Sequence, residues 1–306
     1  MDIVQLIRVI ILALLQGVTE LFPVSSLGHT VIIPAFLGWW KLTTSGAFLP
    51  IVTVLHLGTT VALLLFYWRD WVALIRAFFK TVFARRLDAD PQGKTIWLVI
   101  VGTVPIAIAG LLLQKPIENL FFSTQWPLLP ASFLCLNGAV LYVAEAQRQR
   151  SEPANMDRAK QEQLYARVED LTFLQALFIG IAQIFALLPG ISRSGITMVA
   201  GMRARLSHEE ALRFAFLLLA PAIAGASLLE IPKLIHAGHE AVIDGVIGSV
   251  VAGVAAYFSI RFLTRYFKVG RLTPFAFYCL GAGLIAFLLF VPLSLGLIHL
   301  PWAPGQ

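Results

Sequence analysis

Two short polar interruptions in an otherwise apolar chain hold the residues able to do chemistry. The first reads Gln16-Gly17-Val18-Thr19-Glu20-Leu21-Phe22-Pro23-Val24-Ser25-Ser26-Leu27-Gly28-His29-Thr30. Gln16 and Glu20 are four apart, so they share one face if the stretch before Pro23 is helical. Pro23 ends or starts a helix, and Ser25 or Ser26 can cap the next one. A free helix N-terminus then offers amides to a phosphate. Ser26 and His29, three apart, can bring a hydroxyl and an imidazole onto one helical face. The second interruption reads Pro189-Gly190-Ile191-Ser192-Arg193-Ser194-Gly195-Ile196-Thr197. It adds the donor fork of Arg193, the hydroxyls of Ser192, Ser194 and Thr197, and glycines, Gly195 among them, that permit close backbone approach. Meeting at one cavity, the two would supply a carboxylate, an imidazole, a candidate serine nucleophile and an arginine clamp. That inventory suits phosphoryl transfer.

Ionisable groups at membrane depth are costly and are usually paired or line a cavity, which favours functional roles for Glu20 and Arg193 over a structural ion pair or a snorkelling arginine. Ser26 alone reads as a packing serine, and gains weight only from His29 beside it. A lone imidazole is also well explained as a satisfied core histidine, and His56, in Leu55-His56-Leu57-Gly58, is read as structural. Trp39, Trp40, Trp68, Trp71 and Trp126 read as interface anchors. Phosphate-loop, dinucleotide, HExxH and CxxC signatures are missing, so ATP hydrolysis and nicotinamide chemistry lack a local basis. A Mg²⁺ or Ca²⁺ ion could use Glu20 together with substrate phosphates, although one carboxylate is a weak metal signature.

The elements that must position these residues follow from composition. Of 306 residues, 58% are hydrophobic and 13% charged, a balance that excludes an ordinary soluble enzyme. Six stretches have spanning length, at 47–67, 95–113, 128–146, 211–231, 241–260 and 273–293. Residues 3–40 and 172–202 are apolar but broken by the two polar interruptions, and broken helices survive at membrane depth only where protein or a wet cavity satisfies the freed backbone. The formal charge of +6, from 23 basic and 17 acidic residues, sits in short loops and not in a broad exposed field, which argues against nucleic acid. Cys135 and Cys279 lie inside apolar runs and read as packing residues. The N-terminal apolar stretch lacks a cleavage pattern and is read as part of the mature fold.

Basic residues set the expected sidedness. Arg69, Arg76, Lys80, Arg85, Arg86 and Lys94 mark a cytoplasmic loop, and Arg261, Arg265, Lys268 and Arg271 another. With Arg203, Arg205 and Arg213 on the same side, residues 172–202 must enter and leave from one face. The sequence therefore predicts an all-α polytopic membrane protein of six transmembrane helices plus two re-entrant helical hairpins, arranged as an inverted-topology repeat with both termini external. It is one integral membrane domain, 1–306, with repeats at 1–146 and 171–306 and a cytoplasmic linker at 147–170. Gly17, Phe22, Pro23, Gly28 and Thr30 align with Gly180, Phe185, Pro189, Gly195 and Thr197.

At these two segments the chain resembles the bacterial undecaprenyl-diphosphate phosphatase family, also called bacitracin-resistance proteins. The likeness rests on Gln16-Gly-Val-Thr-Glu20, on Pro23-Val-Ser-Ser-x-Gly-His29, and on Pro189-Gly-x-Ser-Arg-Ser-Gly-x-Thr197, in order and over nearly the whole chain. The family motif accepts Glu or Gln at the first position, so Gln16 leaves Glu20 as the only carboxylate of that pair. The resemblance implies hydrolysis of undecaprenyl diphosphate to undecaprenyl phosphate and phosphate, which recycles the cell-wall lipid carrier at the external side of the bacterial cytoplasmic (inner) membrane. It further implies a divalent cation, Mg²⁺ or Ca²⁺, at Glu20. By motif match the catalytic set is Ser26 as nucleophile, His29 as its base or orienting partner, Glu20 for metal or acid-base work, and Arg193 as clamp. Gln16, Ser25, Gly28, Ser192, Ser194, Gly195 and Thr197 form the expected substrate-binding set. The expected partners are the lipid diphosphate and the bilayer, with a homodimer as an open option. The alternative of a different class is a polyprenyl-phosphate transporter or flippase, since inverted repeats and broken helices also build transporters.

Overall fold

The computed structural model describes residues 3–39, 48–121, 127–151 and 165–295. Among them every regular element is helical, apart from one isolated bridge between Ala166 and Leu206. In chain order the α-helices are α1 (Ile3–Thr19), α2 (Ser26–Phe36), α3 (Phe48–Phe66), α4 (Trp68–Ala84), α5 (Gly93–Phe121), α6 (Leu128–Ser151), α7 (Phe173–Ala182), α8 (Arg193–Arg203), α9 (His208–His236), α10 (His239–Tyr266) and α11 (Thr273–Ser294). Helices satisfy their own backbone groups, which is why long apolar runs take this form in lipid. Among the described residues five helices, α5, α6, α9, α10 and α11, are long and apolar enough to cross a membrane, and α3 with α4 makes a sixth if that bent pair is one span. The chain is thus an all-α polytopic membrane protein, and each of the six expected spans coincides with one helix.

One expectation changes. Residues 68–84, read as the start of a loop, form α4, which turns 83° away from α3. Trp68, Val72, Ile75, Phe79 and Phe83 are exposed on it, while Leu74 and Ala77 are buried. Arg69, Arg76 and Lys80 interrupt the apolar pattern often enough to look like a loop, yet a mixture of basic and apolar residues is also compatible with an amphipathic helix. Of the expected tryptophan anchors, Trp68 is exposed, Trp39 and Trp71 pack partly against the interior, and Trp40 and Trp126 lie outside the described residues. Most of the linker expected at 147–170 also lies outside them. Its described end, residues 165–170, carries the bridge to Leu206 and a 3-10 turn at Val168–Asp170.

The two interrupted regions are short helix pairs. In the first, α1 and α2 flank a break at 20–25; in the second, α7 runs into a 3-10 turn at Gln183–Leu187 before α8 starts at Arg193. Each pair is anchored by glycine on a helix of the other half. Gly17 of α1 lies against the Ala252 carbonyl of α10, and Gly180 of α7 lies against the Gly102 carbonyl of α5, with no room for a methyl group at either. Helix α9 runs through the interior, where the whole stretch Phe214–Ala220 is buried. It packs on α3, α5 and α8, while α6 packs along α11 and α10 along α1 and α3. These contacts fix the two breaks against each other. Cys279 is buried and Cys135 partly so, and both are free thiols, in line with packing roles.

Candidate active site

The breaks meet through backbone. A methyl group on Gly28 would sit 3.0 Å from the Gly190 Cα, tighter than side chains ordinarily pack, so glycine favours this approach. Ser25 and Gly190 both adopt positive φ, 67° and 113°; for a serine that is uncommon and held only by surrounding bonds. The Ser25 hydroxyl supplies them, accepting from the Gly28 amide at 3.3 Å as the N-cap of α2 and from the Gly190 amide at 3.1 Å across the breaks. Ser192 caps α8 in the same way, accepting from the Gly195 amide at 3.1 Å. The Ser192 and Ser194 hydroxyls both donate to the Phe22 carbonyl, at 3.3 and 3.0 Å.

A buried amide from a third helix clips the two breaks together. Asn137 of α6 donates to the Pro23 carbonyl at 3.0 Å and accepts from the Ser192 amide at 3.0 Å. With these bonds made, α2 and α8 both begin at one cavity of about 210 Å³, whose polar wall is Glu20, Ser25, Ser26, His56, Ser192, Arg193 and Glu230. Two helix N-termini and a guanidinium thus face one spot, the kind of arrangement that suits an anion.

The carboxylate of Glu20 is the hub. Its Oε2 accepts from the Ser26 hydroxyl, from Gln16 Nε2 at 3.1 Å, and stands 3.2 Å from His56 Nε2. The other imidazole nitrogen, Nδ1, lies 2.9 Å from the Val52 carbonyl. A carbonyl only accepts, so Nδ1 carries a hydrogen and orients the ring toward Glu20. Arg193 is half-buried at the first position of α8, and its buried Nε has no hydrogen-bond partner. The residue also lines the cavity, and a buried donor without a partner is an exception that calls for an explanation.

The expected site residues divide on this geometry. Glu20, Ser26, Arg193, Ser25 and Ser192 line the cavity, and Gln16 is buried against Glu20. Gly28, Ser194, Gly195 and Thr197 hold the breaks in shape; Thr197 turns its hydroxyl back to the Arg193 carbonyl at 2.7 Å. His29 is directed elsewhere. Its Nδ1 bonds the Ser25 carbonyl at 2.6 Å and its Nε2 the Tyr278 hydroxyl at 2.8 Å, so neither nitrogen faces Ser26. The expected Ser26–His29 pairing is replaced by Ser26–Glu20, because α2 begins at Ser26 and points the hydroxyl back toward the end of α1 while the imidazole turns to α11.

Sequence reasoning passed over three residues. His56, taken as structural, stands at Glu20; Glu230 of α9 adds a second carboxylate to the wall; Asn137 joins the breaks. The signal for each was a polar or ionisable residue inside an apolar span.

The chain matches the family described as "Bacitracin resistance protein BacA" over residues 9–285. It is similar to Undecaprenyl-diphosphatase 1 of Burkholderia pseudomallei (strain K96243), 44% identical over 276 residues that cover 90% of this chain and 93% of the relative. It is also similar to Undecaprenyl-diphosphatase of Mycolicibacterium paratuberculosis, 44% identical over 293 residues that cover 90% of this chain and 94% of the relative. By the extent of these matches, the chain belongs to the BacA bacitracin-resistance family.

Proposed function

We propose that this protein hydrolyses the anhydride of undecaprenyl diphosphate, releasing phosphate and leaving undecaprenyl phosphate for reuse as a cell-wall lipid carrier. The observation that carries this is the Ser26 hydroxyl bonded to the Glu20 carboxylate at a cavity that the Arg193 side chain also lines. The relatives' names give the substrate. In the proposed chemistry the Arg193 guanidinium and the starts of α2 and α8 hold the terminal phosphate and balance the charge that develops on it. Ser26 Oγ attacks phosphorus as the bond to the bridging oxygen breaks, its proton passes to Glu20, and undecaprenyl phosphate departs. Water then releases phosphate from Ser26. His56 and Gln16 fix the carboxylate for these transfers. In the competing route water attacks directly and Ser26 only orients the phosphate; rapid-quench trapping of phosphoserine that vanishes in Ser26→Ala separates the two.

A divalent cation would be held by Glu20 and by phosphate oxygens of the substrate, as is usual for Mg²⁺. The Gln16 carbonyl oxygen, buried beside Glu20 without a hydrogen-bond partner, fits such a hard ion, whereas among the described residues no cluster of three His, Cys, Asp or Glu forms a resident metal cage. When bound, the ion would add neutralisation of phosphate charge.

The finer architecture belongs to the same proposal: six spans and two re-entrant pairs in two inverted repeats, at 1–146 and 171–306. Reciprocal packing supports it, because α1 lies on α10 as α7 lies on α5, while α3 meets α9 and α6 meets α11. Equivalent capping supports it too, since the aligned Gly28 and Gly195 amides donate to Ser25 and Ser192. The cavity is taken to open to the external side. Val52, Thr53 and His56 lie in the first half of α3, and Ile223, Ala226 and Glu230 in the last half of α9. The opposite ends carry Arg69, Arg76 and Lys80, and Arg203, Arg205 and Arg213, the basic sets that stay cytoplasmic. Every group named lies on one chain.

The direct test is phosphate release from undecaprenyl diphosphate by the purified protein in detergent. Release supports hydrolysis; none from folded protein with Mg²⁺ or Ca²⁺ would leave transport as the better reading.

A further inference from the structure

A second hollow, sharing no residue with the catalytic cavity, lies near the end of α10. It has a volume of about 450 Å³ and is enclosed by Phe258, Arg261, Phe262, Arg265 and Tyr266. That size falls within the range of small-ligand sites, about 300–1,000 Å³. Positions 258, 261, 262 and 265 have the spacing of one helical face, so two phenyl rings and two guanidiniums stand on it together. Phe258 and Phe262 are 63% and 51% exposed, and both arginines are exposed. Phenyl rings exposed on a spanning helix meet acyl chains, while arginines near its end reach the headgroups. From Phe258 to Arg265 the helix advances about 10 Å, so this face passes from hydrocarbon to headgroup within the hollow.

The aromatic floor is held in place before any ligand arrives. Phe262 stacks on Phe22 with ring centroids 5.7 Å and planes 9° apart, and on Tyr266 at 5.8 Å and 18°. The Tyr266 hydroxyl in turn donates to the Arg271 carbonyl at 2.9 Å. A floor fixed in this way saves the cost of ordering it on binding. The charges above it are left over. Lys80, Arg86, Arg213 and Lys233 each meet a carboxylate, but among the described residues the side chains of Arg261 and Arg265 form no ion pair or hydrogen bond. No Asp or Glu follows Asp244 in the chain. Glu209 and Glu210 border a neighbouring hollow that Arg265 shares, and there Arg213 stands 3.9 Å from Glu210. Sidedness alone asks for basic residues near a helix end, not for two on one face beside fixed aromatic rings.

We infer that this hollow binds an anionic phospholipid of the cytoplasmic leaflet, its phosphate between Arg261 and Arg265 and its acyl chains over Phe258 and Phe262. Guanidinium forks match phosphate oxygens in charge and geometry, and basic recesses on the cytoplasmic side of spanning helices suit anionic headgroups. A zwitterionic lipid offers the same phosphate but brings its own cation to two guanidiniums, so net negative charge sets the preference. The leaflet follows from the sidedness proposed above; the site itself is independent of the proposed hydrolysis.

Two readouts test this. In native mass spectrometry, the purified full-length protein in detergent is titrated with equal amounts of phosphatidylglycerol and phosphatidylcholine of matched chains. The wild type should retain phosphatidylglycerol first, and Arg261→Gln combined with Arg265→Gln should weaken that binding by about tenfold to thirtyfold. Arg69→Gln combined with Arg76→Gln removes the same charge from α4 and should leave the preference unchanged. Equal retention of the two lipids by the wild type, a preference that survives the α10 substitutions, or an equal loss in the α4 control each overturns the inference. The second readout needs no variant. Phosphatidylglycerol carrying a diazirine close to the ester end of one acyl chain, photolysed with the wild type, should label residues 258–266, and labelling concentrated on α4 would refute the site.

Discussion

Replacing Asn137 with alanine removes the clip between the two breaks without touching the cavity wall. The wild-type amide donates to the Pro23 carbonyl and to the Cys279 sulfur at 3.3 Å, and accepts from the Ser192 amide. Alanine leaves two buried backbone groups, the Pro23 carbonyl and the Ser192 amide, without that partner. Each such group costs about 1–3 kcal/mol, and the Cys279 thiol, 3.7 Å from the Pro23 carbonyl, offsets part of one. The expected loss is about 2–4 kcal/mol of stability. Ser192 caps α8 immediately before Arg193, so a shift of the cap displaces the guanidinium; misplacement by about 1 Å costs on the order of a hundredfold in rate. Thermal unfolding in detergent, with phosphate release from undecaprenyl diphosphate on the same preparation, reads both. The melting temperature should fall by several degrees and kcat/KM by about 10–100-fold. Asn137→Asp, which keeps the acceptor for Ser192 but loses the donor for Pro23, should fall between. An alanine variant that melts within about 1 °C of wild type, at unchanged kcat/KM, would refute the clip.

Three further outcomes follow from the same geometry. His56→Ala should lower kcat/KM clearly more than His56→Gln, which keeps a donor for Glu20; equal losses would remove His56 from the carboxylate's support. His29→Ala should lower the melting temperature along with activity, because it frees the Ser25 carbonyl from its 2.6 Å bond, whereas Ser26→Ala should abolish activity at nearly constant melting temperature. Loss of activity in folded His29→Ala with no loss of stability would return His29 to a direct chemical role. Gly180→Val should fail to fold, since the side chain would enter the Gly102 carbonyl, while Gly225→Ala meets open space and should express as wild type; expression and monodispersity on gel filtration decide between them.

The fold was largely legible because its dominant signal is long-range and crude. A run of about twenty apolar residues has one good solution in a bilayer, and α3, α5, α6, α9, α10 and α11 lie where such runs occur. Helix α4 was not legible as a helix because Arg69, Arg76 and Lys80 break the apolar run that marks a span, and a helix whose buried apolar residues are only Leu74 and Ala77 needs little apolar surface. At the site, Glu20, Ser26 and Arg193 stood out as polar groups at breaks, where helix ends and charge coincide. The pairing among them did not. Whether Ser26 faces Glu20 or His29 depends on the angle at which α2 leaves Ser25, set by a positive φ and by bonds to Gly190 and Asn137 from distant parts of the chain. His56 and Glu230 reach the cavity only through packing of α3 and α9 against the breaks, which no local spacing encodes.

The most direct test of a Glu20–Ser26–Arg193 centre is phosphate release from undecaprenyl diphosphate by Glu20→Gln, Ser26→Ala and Arg193→Ala, each checked for wild-type melting behaviour and assayed with Mg²⁺ and with Ca²⁺. Wild-type release with kcat/KM reduced at least about a hundredfold in all three folded variants is the predicted result. A folded Ser26→Ala or Glu20→Gln variant that hydrolyses the lipid at the wild-type rate would contradict it.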